Sequence, residues 1–295
     1  MAHTLTINTT QLQALTESGA DLCVLDCSFD LAAPAAARQA FAQVHIAGAL
    51  FADLDLHLSA HGDVAPINGG RHPLPSRAWF AQQLAAWGIT PHTQVVVYDR
   101  NGNNFCGRAW WMLKWCGHDN VALLDGGLAA WQAAGGAVSG EETHTTRTHP
   151  LPAYPLGEPL VQLVDTTHVL HALQHAPHTQ LVVDARGAPR FAGDTEPLDP
   201  VAGHIPGAVN HPFTTNFDGS GLFKTADELK ALWANTLGER DAASVVMQCG
   251  SGVSAVPNIV AMALAGLPMP ALYAGSWSEW SRTPGTPRQT KNGLE

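Results

Sequence analysis

Cys249 stands where chemistry is easiest to place. It lies in Ser244-Val-Val-Met-Gln-Cys-Gly-Ser-Gly-Val-Ser-Ala-Val256, where an apolar run ends in a cysteine, two glycines follow, and a second apolar run begins. The β-branched run at 245–247 reads as a buried parallel strand, and residues 255–267, rich in Ala, Ile, Val, Leu and Met, read as a packed helix. The six residues 249–254 must turn the chain between them. With Gly250 and Gly252 free to adopt positive φ, such a turn can curl its amide N–H groups around the sulfur and set it at a helix N-terminus. That cradle favours an anion, and the anionic thiolate is the nucleophilic form of cysteine. A small core thiol would also satisfy the composition, since free Cys is often buried. The position at a strand end, inside a glycine turn ahead of a helix, favours the reactive reading.

The elements that would position this sulfur recur. In the first half, a helix over 8–20 is followed by strand 22–26, the stretch 44–50, and a polar loop through Asp53, Asp55, Gly69, Gly70, Arg71 and His72. Next come a helix over 77–87 capped by Ser76, strand 94–99, a Trp-rich helix, strand 121–125 and a short helix ending near Trp131. In the second half, Asp184 answers Asp26, His204-Ile-Pro-Gly-Ala208 answers His45-Ile-Ala-Gly-Ala49, and Cys249 answers Asp99. Ala274-Gly-Ser-Trp-Ser-Glu-Trp280 answers Gly126-Gly-Leu-Ala-Ala-Trp131. Near-constant offsets of this kind mean tandem domains of one fold. Alternating strands and helices make each an α/β layer with a mainly parallel sheet flanked by helices. We expect domains at 1–140 and 156–295, joined by a Thr- and Pro-rich linker at 141–155. Asp99 cannot do sulfur chemistry, so the first domain is expected to support and the second to react.

Composition limits the partners. The chain has 295 residues, 15 Lys and Arg against 25 Asp and Glu, and a net charge of -10, which argues against a nucleic-acid surface. Five cysteines without a CxxC pair make no disulfide framework. No run of 18 apolar residues occurs, and the first residues lack a signal-like pattern. The expectation is a cytoplasmic protein that engages neither nucleic acid nor membrane. No metal-ligand spacing appears among its histidines, so neither metal nor cofactor is expected.

The duplicated His-Ile-x-Gly-Ala motifs, Asp184-Ala-Arg186, Arg190-Phe191, Gly203-His-Ile-Pro-Gly-Ala-Val-Asn210, the Cys-Gly-Ser-Gly-Val-Ser loop and the two Gly-to-Trp endings together resemble the tandem-domain sulfurtransferases of the rhodanese and 3-mercaptopyruvate sulfurtransferase family, over about residues 8–281. The resemblance implies two rhodanese-like domains, the first inactive. Thiosulfate-type members usually carry Arg and Lys after the cysteine; Gly250 and Ser251 match the mercaptopyruvate type. By that resemblance Ser251 joins His72 and Asp55 in a hydroxyl–imidazole–carboxylate relay at the substrate carbonyl. The relay predicts a ring nitrogen of His72 within hydrogen-bond reach of Asp55. Arg190 matches an arginine that clamps the anionic end of the substrate, for which a planar fork of donors is suited. Arg186 is expected to be structural or a second substrate contact. Mercaptopyruvate-type members also carry an arginine nine residues after the first; here that position is Asp199.

The mechanism implied is double displacement. Cys249 takes the sulfane sulfur of 3-mercaptopyruvate or thiosulfate and becomes a persulfide, held by the backbone of Gly250, Ser251, Gly252, Val253 and Ser254. A thiol such as thioredoxin or glutathione, or cyanide, then removes the outer sulfur. Two rival readings fit the residues less well. A cysteine phosphatase or arsenate reductase needs an arginine six residues after the cysteine, where this chain has Ala255. A non-catalytic persulfide carrier would have less use for Arg190, His72 and Asp55.

Overall fold

A computed structural model describes residues 2–140, 152–176, 179–291 and 293–294. Most of the expected linker, 141–151, lies outside the described residues. The chain forms two compact units, one of Met1–Ala65, Pro75–Leu160 and Gly219–Leu222, the other of Pro66–Leu74, Val161–Asp218 and Phe223–Glu295.

Each unit is built on a five-stranded, all-parallel sheet. In the first unit the strand order is Thr6–Ile7, Val121–Leu124, Gln94–Tyr98, Leu22–Asp26, Leu50–Phe51. In the second it is Leu163–Val164, Ala271–Tyr273, Val245–Gln248, Leu181–Asp184, Val209–Asn210. Corresponding strands take corresponding places, so the repeat legible in the sequence is a repeat of topology. Each central strand has neighbours on both edges and its side chains covered on both faces, which is why Gln94–Tyr98 and Val245–Gln248 are buried throughout. Burying each such Val contributes roughly 2 kcal/mol.

The helices around these sheets follow local signals. Asn8 and Gln11 form a reciprocal capping box for Thr9–Ser18, and Gly19 ends it in the left-handed conformation at φ 68°. Ser76 caps Arg77–Ala86 by accepting the Trp79 N–H. The expected long helix after Cys249 is shorter, Val256–Leu264, with Pro257 in its first turn, where a missing N–H costs no bond. The core of the first unit gathers Val24, Phe41, Ile46, Val96, Tyr98 and Trp131; that of the second gathers Val182, Ile205, Val246, Tyr273, Trp277 and Trp280.

The motif His-Ile-x-Gly-Ala has the same structural use twice. His45 stacks on Phe41 at 3.9 Å and 10°, with Nδ1 2.7 Å from the Phe41 carbonyl. His204 stacks on Phe191 at 3.8 Å and 12°, with Nδ1 2.7 Å from the Phe191 carbonyl. Both histidines are therefore packing residues rather than reactive ones.

Candidate active site

The site grows from the C-terminal ends of the parallel strands in the second unit, where an open α/β sheet presents its crevice. Val245–Gln248 ends at Cys249, Leu181–Asp184 runs into Ala185-Arg186, and Ala271–Tyr273 runs into Ala274-Gly-Ser276. The cysteine loop is pinned from one side. The Cys249 N–H donates to Ser276 Oγ at 3.1 Å, and the Cys249 and Gly250 carbonyls accept from the Trp277 and Ser278 amides at 3.1 and 2.9 Å. Ser276 sits at φ 55°, unusual for a non-glycine residue and costing about 1 kcal/mol. Its hydroxyl holds it there, donating to the Tyr273 carbonyl at 2.9 Å while accepting from Cys249. Gly252, at φ 73°, admits no side chain, because a Cβ would stand 2.3 Å from the Ala274 carbonyl oxygen.

Cys249 is 2% exposed, buried at the C-terminal end of its strand. Ser251 is 6% exposed and its Oγ lies 2.7 Å from Nδ1 of His72, itself 4% exposed. His72 belongs to the segment Pro66–Leu74, which groups with the second unit although it precedes most of the first in sequence. That segment is fixed by the Gly69 N–H to Glu279 Oε1 at 2.9 Å and the Arg71 N–H to Ser278 Oγ at 3.0 Å. Asp55 belongs to the first unit, where its carboxylate is 3.4 Å from Nε2 of His61. Burial raises the Asp55 pKa above the usual carboxylate range, with His61 opposing. Val253 is buried, its carbonyl accepting the Val256 N–H at 3.1 Å, and Ser254 is half-buried.

Arg190 and Arg186 have different surroundings. Arg190 keeps 21% of its side chain exposed, with Nε and Nη2 on Glu196 and Nη2 also 3.2 Å from Asp199. Arg186 is 4% exposed, bound to Asp184, Glu196 and the Gly203 carbonyl and lying 4.9 Å over the ring of Trp277. Burial works against its charge, but Asp184, Glu196 and Cys249 outweigh that and raise its pKa. Its fork is fully engaged with the protein, which makes it a structural brace at the strand end.

Several participants escaped sequence reasoning. Ser276 and Ser278 lie in the motif read only as a mark of the repeat. Arg71, Glu196 and Arg282 had no pattern of their own. Asp199, an anion where the resemblance implies an arginine, is a buried anchor for Arg71, Arg190 and Arg282. The other cysteines are core thiols. Burial pushes Cys23 up to about 12 and Cys116 up to about 11, and Cys27 and Cys106 well above the ordinary thiol value. Among the described residues no cluster of His, Cys, Asp and Glu could hold a metal ion, and no helix is long and apolar enough to cross a membrane.

These features are those of a two-domain sulfur-transfer enzyme, and the comparisons agree. The rhodanese-like domain matches residues 8–134 and 166–283. A probable 3-mercaptopyruvate sulfurtransferase of Pseudomonas aeruginosa is 45% identical over 283 residues, covering 96% of this chain and 97% of that protein. A putative thiosulfate sulfurtransferase, SseB, of Mycobacterium tuberculosis is 38% identical over 287 residues, covering 95% of each. The crystal structure of the 3-mercaptopyruvate sulfotransferase SseA of Escherichia coli superposes with a TM-score of 0.74 at 30% identity, covering 94% of this chain and 100% of that one. The chain belongs to the rhodanese-like family, carries two copies of its domain, and is a sulfurtransferase, which takes sulfur from a donor and hands it to an acceptor.

Proposed function

We propose that the donor is 3-mercaptopyruvate and that Cys249 carries its sulfur as a persulfide. The reading is carried by the hydroxyl–imidazole pair of Ser251 and His72, 2.7 Å apart and one residue beyond Gly250 from the cysteine. Thiosulfate releases its S–S electron pair onto the sulfur of sulfite, a stable dianion, and has no use for such a pair. A mercaptoketone does, because its carbonyl must be polarised and its departing carbon must gain a proton.

In the first half-reaction the Cys249 thiolate attacks the donor sulfur, the S–S bond forms, and the C–S bond breaks. Its electron pair moves onto the carbon side as the enolate of pyruvate. Ser251, hydrogen-bonded to Nδ1 of His72, donates to the carbonyl oxygen as charge grows there, and His72 resupplies the proton that converts enolate to pyruvate. Arg190 meets the carboxylate, and the backbone of Gly250 to Ser254 supports the persulfide. In the second half-reaction an acceptor thiolate attacks the outer sulfur and the Cys249 thiolate leaves, restoring the enzyme. Thioredoxin, glutathione or cyanide would serve as acceptor, and five free thiols fit a reducing cytoplasm.

Thiosulfate remains the second reading, favoured by the name of the mycobacterial relative and by the arginines beside the loop. The two are separated by intact-mass and steady-state measurements with each donor. One sulfur added to the protein, absent in Cys249→Ser, establishes the persulfide. His72→Ala is expected to lower kcat with 3-mercaptopyruvate about 100-fold and to spare thiosulfate. Equal loss with both donors removes the relay, and higher kcat/KM with thiosulfate reverses the choice of donor.

A further inference from the structure

Asp199 has a side chain with 0% exposure and is shared by three arginines. Arg71 Nη1 and Arg282 Nη1 approach its Oδ1 at 2.9 and 2.8 Å, and Arg190 Nη2 approaches its Oδ2 at 3.2 Å. A buried carboxylate requires a cation. Three exceed what its single charge requires, and two of them extend past it to the cysteine loop. Arg71 Nη2 lies 2.9 Å, and Arg190 Nη1 3.3 Å, from the point a Cβ on Gly250 would occupy. They therefore flank the residue that follows Cys249.

Those two nitrogens are uncommitted. Among the described residues Arg71 binds through Nη1 alone, and its Nε is buried without a hydrogen-bond partner. Arg190 binds Glu196 and Asp199 through Nε and Nη2, leaving Nη1. Guanidinium donors left unsatisfied by protein, with the Arg71 Nε beside them buried, suit an anionic acceptor, and two forks on one spot suit an anion with two oxygens. Arg282, by contrast, is 48% exposed and divides its Nη1 between Asp199 and the Ser278 carbonyl. It buttresses Asp199 from outside.

The geometry points to Arg71 as a second donor-binding residue, closing with Arg190 on the carboxylate of a small α-keto-acid sulfur donor, with Asp199 as the positioning residue that holds both arms. This rests on the proposed reaction at Cys249. It gives Asp199 a purpose: an anion at that position does not repel the substrate, because its charge is already matched and it is buried behind the arms it aims. It also fits the neutral Gly250-Ser251 pair, since the cations arrive from elsewhere in the unit.

The test uses the full-length enzyme, two donors and four variants. The donors are 3-mercaptopyruvate and 1-mercaptopropan-2-one, which keeps thiol and ketone but lacks the carboxylate. Arg71→Ala is expected to raise KM for 3-mercaptopyruvate about 30-fold with kcat within about threefold, the usual effect of losing a charge-assisted contact made in both ground and transition states. Its kcat/KM with the carboxylate-free donor should stay within about threefold of wild type. Arg71→Lys, which keeps the charge on Asp199 but loses the fork, should raise KM about fivefold and guards against misfolding of the alanine variant. Asp199→Asn should raise KM about tenfold, and the Arg71→Ala/Asp199→Asn double variant should fall short of the product of the two, as expected for coupled residues. An unchanged KM in Arg71→Ala, or equal losses with both donors, overturns the clamp while leaving the persulfide chemistry standing. A wild-type enzyme that gains no sulfur from 3-mercaptopyruvate overturns both.

Discussion

The loops that follow the two central strands are the same device put to opposite uses. After Gln94–Tyr98 the side chain at the turn is Asp99, 1% exposed, and its carboxylate accepts four backbone N–H groups. These come from Asn101 and Asn103 at 2.8 and 2.9 Å and from Phe105 and Cys106 at 2.7 and 2.9 Å. After Val245–Gln248 the equivalent residue is Cys249, in a loop of the same length beside Arg71 and Arg190. The first loop demonstrates what such a turn holds, an anion ringed by amides, and fills it permanently with the protein's own carboxylate. The second carries a cysteine there instead. One unit has filled its turn with a carboxylate held by four amides; under the proposed reaction the other keeps its turn for a transient charge.

The strongest way to break this comparison is to convert the second loop into the first. Cys249→Asp is expected to abolish sulfur transfer while the protein still folds, with a Tm within a few degrees of wild type, because the cradle accepts a carboxylate. A collapse in circular dichroism would mean that the two turns are not equivalent. The reverse operation, Asp99→Ala, leaves four buried amides without an acceptor. The loss should be about 3 kcal/mol in denaturant unfolding, with Cys249 still taking up one sulfur by intact mass. A silent Asp99→Ala would mean that those amides find other partners.

A smaller difference between the units concerns pH. Ala52 and His211 hold the same place, their N–H groups donating to the Asp26 and Asp184 carbonyls at 2.8 and 2.9 Å. His211 is buried, stacked 3.9 Å from the Trp233 ring and bonded to Thr236 and Asn216. Burial lowers its pKa to about 4, with the Asn216 contact opposing and Lys224 adding to the fall. The unfolded chain, titrating near the ordinary value of about 6.5, therefore takes up a proton that the folded chain refuses. Its contribution is complete above pH 6.5 and is lost as pH falls towards 4, by about 3 kcal/mol. Thermal melts from pH 7 to 4.5 should show a steeper decline in wild type than in His211→Gln; parallel curves would remove this role.

Much of the fold was legible because it is local. The β-branched run before Cys249, the glycines after it, Asn8 and Ser76 as helix caps, and the matched offsets of the repeat all act between near neighbours or through composition. The helix after the loop ends at Leu264, short of the 267 that the apolar character of 265–267 suggests, because its last turn closes before Gly266. Gly266, left-handed at φ 74°, marks that end.

What the chain alone determined is thus the sulfur, its turn and the doubled α/β plan, for each follows from periodicity and backbone freedom within a few residues. Tertiary structure alone decided which charges meet. Arg71 reaches Asp199 across 128 residues and His72 reaches Ser251 across 179. Nothing in local propensity encodes such pairings: they exist because the packing of Pro66–Leu74 within the second unit brings those side chains into hydrogen-bond range, where burial makes each partner obligatory.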